Sequence, residues 1–185
     1  MVSLETPVCE FGKKAPDFDL PGVDGRDWSL QQCMGEQGLL VMFICNHCPY
    51  VKAVQERIVR DTLALQDSGI KSVAIMSNDV VNYPDDSFDN MKRVAKQWRF
   101  PFPYLLDEDQ QIARQYNAVC TPDFFGYNTV FELQYRGRLD ASRKETADEN
   151  VRRDLYEAMK LVATTGQGPV EQTPSMGCSI KWREG

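Results

Sequence analysis

Between Gly38 and Val51 the chain reads GLLVMFICNHCPYV, and this stretch constrains the architecture more than any other. The unbroken apolar run Leu39 to Ile44 has no polar face, so as a strand it must be covered on both sides. Strands of a parallel sheet meet that condition, because crossover helices lie on both faces. After Pro49 the pattern changes period: Val51, Val54, Ile58 and Leu65 recur at helical spacing, with Lys52, Gln55, Glu56 and Arg60 between them. Gly69 stops that helix, and IKSVAIMS reads as a second buried strand. The stretch therefore predicts a βαβ unit with Cys45, Asn46, His47 and Cys48 at its first strand-to-helix turn.

The rest of the chain continues the alternation. Pro16, Pro21, Gly22 and Gly25 surround a short FDL strand, VDG reads as a hairpin turn, and a short helix is expected over 29–34. Phe88, Met91, Ala95 and Trp98 mark the buried face of another helix, followed by a short strand in RFPFPYLLD. Asp107 with Gln110 resembles a capping pair for a helix through Tyr116. TPDFFGYNTVFELQYRGRLD supplies two strands around an Asn128 turn, an antiparallel hairpin. Thr146 and Glu149 form a T-x-x-E capping box for a last helix with Val151, Leu155, Ala158 and Val162 on one face. From Gly166 onward the tail has low propensity for either element. At 185 residues and 42% hydrophobic content, the order β-α-β-α-β-α-β-β-α suits one α/β domain over residues 1–185. Its ordered core is expected over about 12–163, with a tail over 164–185.

Disulfide exchange needs one accessible, ionisable thiol and a second within reach to expel the mixed disulfide. Two cysteines separated by two residues at a helix N-terminus meet both demands, because unpaired N–H groups and the helix dipole favour the thiolate. Asn46 is a candidate N-cap. His47, the only histidine of the chain, would if protonated lower a neighbouring cysteine into the range of roughly 3.5–7.5 seen for activated thiols. The Cys45–Cys48 pair would itself be the redox group, with no cofactor or metal. A zinc signature needs a second ligand pair, whereas Cys120 and Cys178 are singletons. A metal-binding or interaction module stays as an alternative.

LLVMFICNHCPYV, its helix and IKSVAIMS resemble the active-site βαβ of the thioredoxin fold, in the AhpC/TSA branch: the alkyl hydroperoxide reductase and thiol-specific antioxidant, or redoxin, group. CTPDFF is similar to that fold's Thr–cis-Pro loop, and the APDFDL opening is redoxin-like. With YRGRLD and the terminal GCSIKW, the chain resembles a peroxiredoxin-like subfamily. The resemblance implies a thioredoxin-like α/β fold, a central mixed sheet flanked by helices with an N-terminal redoxin-type extension. It implies a thiol–disulfide oxidoreductase in which Cys45 is the exposed nucleophile, Cys48 the buried resolving thiol and His47 the tuning group. Pro122, if cis, would sit against the dithiol and present the backbone of Thr121 to an incoming peptide strand, with Cys120 nearby. The partners implied are protein or small-molecule disulfides and a reductase or dithiol reductant.

A peroxidase, and so an antioxidant role, is the rival reading. In the peroxiredoxin pattern Cys48 falls at the peroxidatic position, but Cys45 stands where a hydroxyl residue belongs and Val41 where a proline belongs. Arg136, Arg138 or Arg143 would have to supply the guanidinium. Cys9, Cys33 and Cys178 lie in stretches with little predicted structure and read as incidental thiols, Cys178 having the further option of folding back as an extra resolving partner. Asp85-Asp86 and Asp107 to Asp109 read as helix caps. A net charge of -6 without a basic run argues against nucleic acid. The N-terminal segment shows no charged region followed by an apolar stretch, so a cytoplasmic protein without a membrane anchor is expected.

Overall fold

A computed structural model describes residues 2–184. In chain order these form β1 (Ser3–Glu5), β2 (Asp19–Pro21), β3 (Asp27–Ser29), α1 (Leu30–Cys33), β4 (Gly38–Phe43) and α2 (Pro49–Gln66). There follow β5 (Ile70–Met76), a 3-10 turn (Pro84–Asp86), α3 (Phe88–Gln97), β6 (Tyr104–Leu106) and α4 (Gln111–Gln115). The chain closes with β7 (Cys120–Thr121), β8 (Asp123–Tyr127), β9 (Leu133–Tyr135), α5 (Asp154–Thr165) and β10 (Met176–Ser179).

The apolar run is the middle strand of a five-stranded mixed sheet, in the order β6-β5-β4-β8-β9. β4, β5 and β6 run parallel, while β8 and β9 are antiparallel. Because side chains alternate across a strand, β4 feeds two cores. Leu40, Met42 and Ile44 pack with Val54 and Ile58 of α2 and with Met159 of α5. Leu39, Val41 and Phe43 pack with Leu30 of α1, Ala113 of α4 and Phe125. That two-sided burial is what an all-apolar strand requires. No helix among the described residues is long and apolar enough to cross a membrane.

Three local expectations give way. Thr146 does not open the last helix, which starts at Asp154. Its hydroxyl donates to the Ala53 carbonyl of α2 at 2.6 Å, and Arg57 of α2 donates to the carbonyls of Ala147 and Asp148, so this segment is drawn across α2 instead of coiling. Asp107 does accept the N–H groups of Ile112 and Ala113 at the start of α4, but Gln110 does not reciprocate. The Gln110 amide donates to the carbonyls of Ser77 and Lys181. Finally, the tail is not irregular: β10 lies between β1 and β7 in a second, antiparallel sheet, and Cys178 and Ile180 are core residues. The ordered core therefore extends beyond residue 163.

Candidate active site

β4 ends at Phe43, and α2 begins at Pro49, where a proline fits because its missing N–H has no intrahelical partner to lose. The N-cap is Cys48 and not Asn46. Asn46 is held by other groups: its N–H donates to Asp86 Oδ1 at 2.7 Å, its Nδ2 to the Asp85 carbonyl at 3.0 Å, and its Oδ1 accepts the Tyr104 hydroxyl at 3.0 Å. His47 Nδ1 lies 2.6 Å from Asp86 Oδ2, and its ring stacks on Tyr83. Asp86 is fully buried and also accepts the Asn78 amide at 2.8 Å. A residue expected as a helix cap is thus the carboxylate that orients the Asn46-His47 turn.

The hydrogen bond to Asp86 is the main cause of a His47 pKa raised above its ordinary value, with burial opposing it. A raised histidine pKa adds stability at pH below the unfolded value, and that contribution is lost as pH rises through the folded pKa. Asp86→Asn should therefore lower the His47 pKa to its ordinary value of about 6.5 or below, read by NMR titration of the ring. It should also remove this acid-side stabilisation. An unchanged titration would show that Asp86 does not set the imidazole.

Three sulfurs meet at the head of α2. Cys48 Sγ is 2.6 Å from Cys178 Sγ and 3.2 Å from the Thr121 carbonyl oxygen. Cys45 Sγ is 3.4 Å from the Thr121 hydroxyl and is hydrogen-bonded to Cys48. Cys48 is pulled down to about 5, first by the Cys45 hydrogen bond, against burial, with help from the Cys178 thiol and the N–H groups of Val51 and Cys178. Burial, the hydrogen bond to Cys48 and the charge of Asp86 push Cys45 well above the ordinary thiol range. Burial and the hydrogen bond to Cys48 push Cys178 up to about 12.

The two shifts run in opposite directions, down for Cys48 and up for Cys45, whereas the motif leads to the expectation of a thiolate on Cys45. The reason is positional: Cys48 directly precedes Pro49 and reaches the first-turn N–H of Val51, whereas Cys45 lies a turn earlier beside a buried carboxylate. Nor is Cys45 exposed, at 3% of its surface against 0% for Cys48. His47 turns to Asp86 and is not among the main causes of the Cys48 shift.

Thr121–Pro122 is cis, as the CTPDFF stretch suggested. The peptide-docking edge expected at Thr121 is, however, already filled. Cys178 pairs with Thr121 and Ser179 with Cys120, and a Cβ at Gly177 would strike the Thr121 carbonyl, so only glycine permits this approach. Cys120 is fully buried with its sulfur 3.6 Å from the Pro122 carbonyl, and burial raises its pKa. That is the behaviour of a small hydrophobe. Burial likewise pushes Cys9 up to about 11 and Cys33 up to about 12.

Of the candidate arginines, Arg136 pairs with buried Asp123 at 2.9 Å and Arg138 with Asp154 at 2.7 Å. Cys45, His47 and Asp86 bring donor atoms within 4.8 Å of one another, a grouping the sequence did not reveal. Within that set His47 Nδ1 and Asp86 Oδ2 bond directly to each other, while His47 Nε2 is buried without a hydrogen-bond partner among the described residues. A cleft of about 420 Å³ opens beside the turn, lined by Asn46, His47, Lys52, Gln55, Arg93 and Trp98 among others; neither Cys45 nor Cys48 lines it. The sequence signal missed for Asp86 is absent locally, whereas GCSIKW held a small Gly-Cys pair suited to close strand packing.

A mixed sheet with a βαβ unit, a thiol-bearing turn at its first helix and a cis-proline loop beside it defines a thioredoxin-like protein. More specifically, the chain belongs to the AhpC/TSA family, whose model matches residues 11–142. An uncharacterized conserved protein from Geobacillus kaustophilus is 41% identical, with 100% of this chain and 98% of that one covered at a TM-score of 0.94. A hypothetical protein from Sinorhizobium meliloti is 34% identical, with 98% and 99% covered and a TM-score of 0.92. A thioredoxin-family thiol:disulfide interchange protein from Chlorobium tepidum, 17% identical with 82% and 97% covered and a TM-score of 0.64, shares the fold. No match was found among curated proteins. Family membership supports a thiol-based redox function.

Proposed function

We propose that this protein is a thiol–disulfide oxidoreductase in which the Cys48 thiolate attacks a disulfide and Cys45 resolves the product. The observation that carries this reading is the Cys48 sulfur at the head of α2, 2.6 Å from the Cys178 sulfur, with a pKa that hydrogen bonding to its neighbours draws down. In the first step the Cys48 thiolate forms a bond to one substrate sulfur and expels the other as a thiolate. In the second, the Cys45 sulfur attacks the Cys48 sulfur of the mixed disulfide, and its proton goes to the departing second thiolate. The substrate gains two electrons and leaves as two thiols. The protein is left with a Cys45–Cys48 disulfide, which an external dithiol or reductase returns to thiols. Asn46, His47 and Asp86 position the turn, and Thr121 and Pro122 wall the sulfurs.

With the Thr121 edge occupied by β10, the site suits a low-molecular-weight disulfide better than an extended peptide. Cys45 and Cys48 are buried and do not line the neighbouring cleft, so attack on such a substrate requires the segments over the sulfurs to open. A cytoplasmic setting, which keeps thiols reduced, is part of the same proposal. Oxidised glutathione is the test substrate: the reduced protein should lose a pair of thiols and release reduced glutathione, and Cys48→Ser should do neither. Wild-type thiols that persist in oxidised glutathione would overturn the reading.

A thiolate held at about 5 stabilises the reduced state. The reduction potential should therefore lie well above thioredoxin's value of about -270 mV, toward the oxidising end near -120 mV. Equilibration against glutathione buffers measures it, and a value at or below that of thioredoxin would contradict the assigned thiolate. The same Cys48 thiolate also favours the peroxidase reading, since Cys48 holds the peroxidatic position. Fast second-order consumption of hydrogen peroxide that is lost in Cys48→Ser would select peroxide over disulfide as the oxidant.

A further inference from the structure

We infer that Cys178 is a third redox thiol, which resolves the Cys48 mixed disulfide by closing a Cys48–Cys178 bond with β10 in its native place. The inference rests on the exchange reading above and adds a residue outside the family match, which ends at residue 142. Two sulfurs 2.6 Å apart need to approach by only about 0.5 Å to reach the bond length of a disulfide.

The position of Cys178 is built into the fold. β10 pairs on one side with Ser3 of β1 and on the other with Thr121 of β7. Beyond it, Lys181 N–H donates to Asn78 Oδ1 at 2.9 Å, and the Ser175 hydroxyl donates to the Pro122 carbonyl at 2.9 Å. Gly177 allows the strand to lie against the Thr121 carbonyl, which sets the next residue's sulfur over Cys48. No other described cysteine outside the C-x-x-C pair has a sulfur hydrogen-bonded to Cys48.

The chemistry balances without a further reactant. After the Cys48 thiolate has formed the mixed disulfide, the Cys178 sulfur attacks the Cys48 sulfur, the bond to the substrate sulfur breaks, and the Cys178 proton leaves with that thiol. Two electrons pass to the substrate, and the dithiol reductant already invoked reopens the Cys48–Cys178 bond. Cys45 and Cys178 are then parallel resolving thiols for one nucleophile. Loss of Cys45 alone should not trap a mixed disulfide.

The test uses full-length Cys45→Ser and Cys45→Ser/Cys178→Ser proteins, reduced, exposed to oxidised glutathione, blocked with N-ethylmaleimide and mapped by mass spectrometry without reduction. The single variant should yield a Cys48–Cys178 cross-linked peptide, no retained glutathione and no maleimide on Cys178. The double variant should retain glutathione on Cys48. A cross-linked Cys48–Cys178 peptide from the wild-type protein supports the same conclusion independently of either substitution. Glutathione retained on Cys48 in the single variant, with Cys178 blocked by maleimide, overturns the Cys178 role and leaves the exchange reading standing. Uptake of glutathione by no form of the protein overturns both.

Discussion

Replacing Cys48 with serine is expected to slow the reaction with oxidised glutathione at neutral pH by at least about a thousandfold, since it removes the nucleophile itself. The other two sulfurs cannot substitute. Burial, the first of the causes that push Cys45 and Cys178 up, persists in Cys48→Ser, so neither supplies a useful thiolate fraction at neutral pH. Cys45→Ser should keep the first step, because serine preserves a hydrogen-bond donor to the Cys48 sulfur. This reverses the pattern expected from the motif alone, where Cys45 would be the indispensable residue. Stopped-flow rates for the two variants decide the matter: a dead Cys45→Ser with an active Cys48→Ser would restore the motif-based assignment.

Arg136→Met should cost about 3–5 kcal/mol of folding stability, the size of effect seen when one partner of a buried ion pair is removed. Asp123 is fully buried, and its carboxylate accepts Arg136 Nη2 at 2.9 Å, Arg136 Nε at 3.3 Å and the Val119 N–H at 3.2 Å. Burial already raises the Asp123 pKa, with Arg136 acting against it. Without the guanidinium the carboxyl should be raised further. An acid whose folded pKa lies above its unfolded one costs stability once pH exceeds the unfolded value, and the cost is relieved as pH falls. The deficit of Arg136→Met against wild type should therefore shrink on acidification, measured by urea unfolding across the acid range. Because Asp123 directly follows Pro122, the pair also anchors the loop that walls the sulfurs, and exchange activity should fall with stability. A deficit below about 1 kcal/mol would mean that the pair contributes no more than an exposed salt bridge.

The parts of the fold legible in the sequence were those written in local periodicity. β4 could only be a doubly covered strand, α2 carried its apolar stripe, and the Asn128 hairpin had its turn residue between two apolar runs. The site was half legible for the same reason. The C-x-x-C spacing and the Thr-Pro dipeptide are local signals, and they come together around Thr121. Asp86 was not legible, because its partner His47 is 39 residues away and nothing in NYPDD distinguishes a buried acceptor from a cap. Cys178 lies 130 residues from Cys48, and a four-residue strand rich in small side chains has too little β-propensity to announce itself. Thr146 shows the converse failure: a sound capping pattern lost to a hydrogen bond with α2.

A thiolate on the second cysteine of the motif underlies the mechanism, the oxidising potential and the third-thiol inference alike. It is tested most directly by the pH dependence of thiolate ultraviolet absorbance in the reduced protein, with Cys48→Ser as the blank. The signal should appear with a midpoint of about 5, persist above it, fade as pH drops through it, and be missing from the blank. A midpoint near the ordinary thiol value of about 8.5, or a low-pH signal that survives in Cys48→Ser and vanishes in Cys45→Ser, would contradict it.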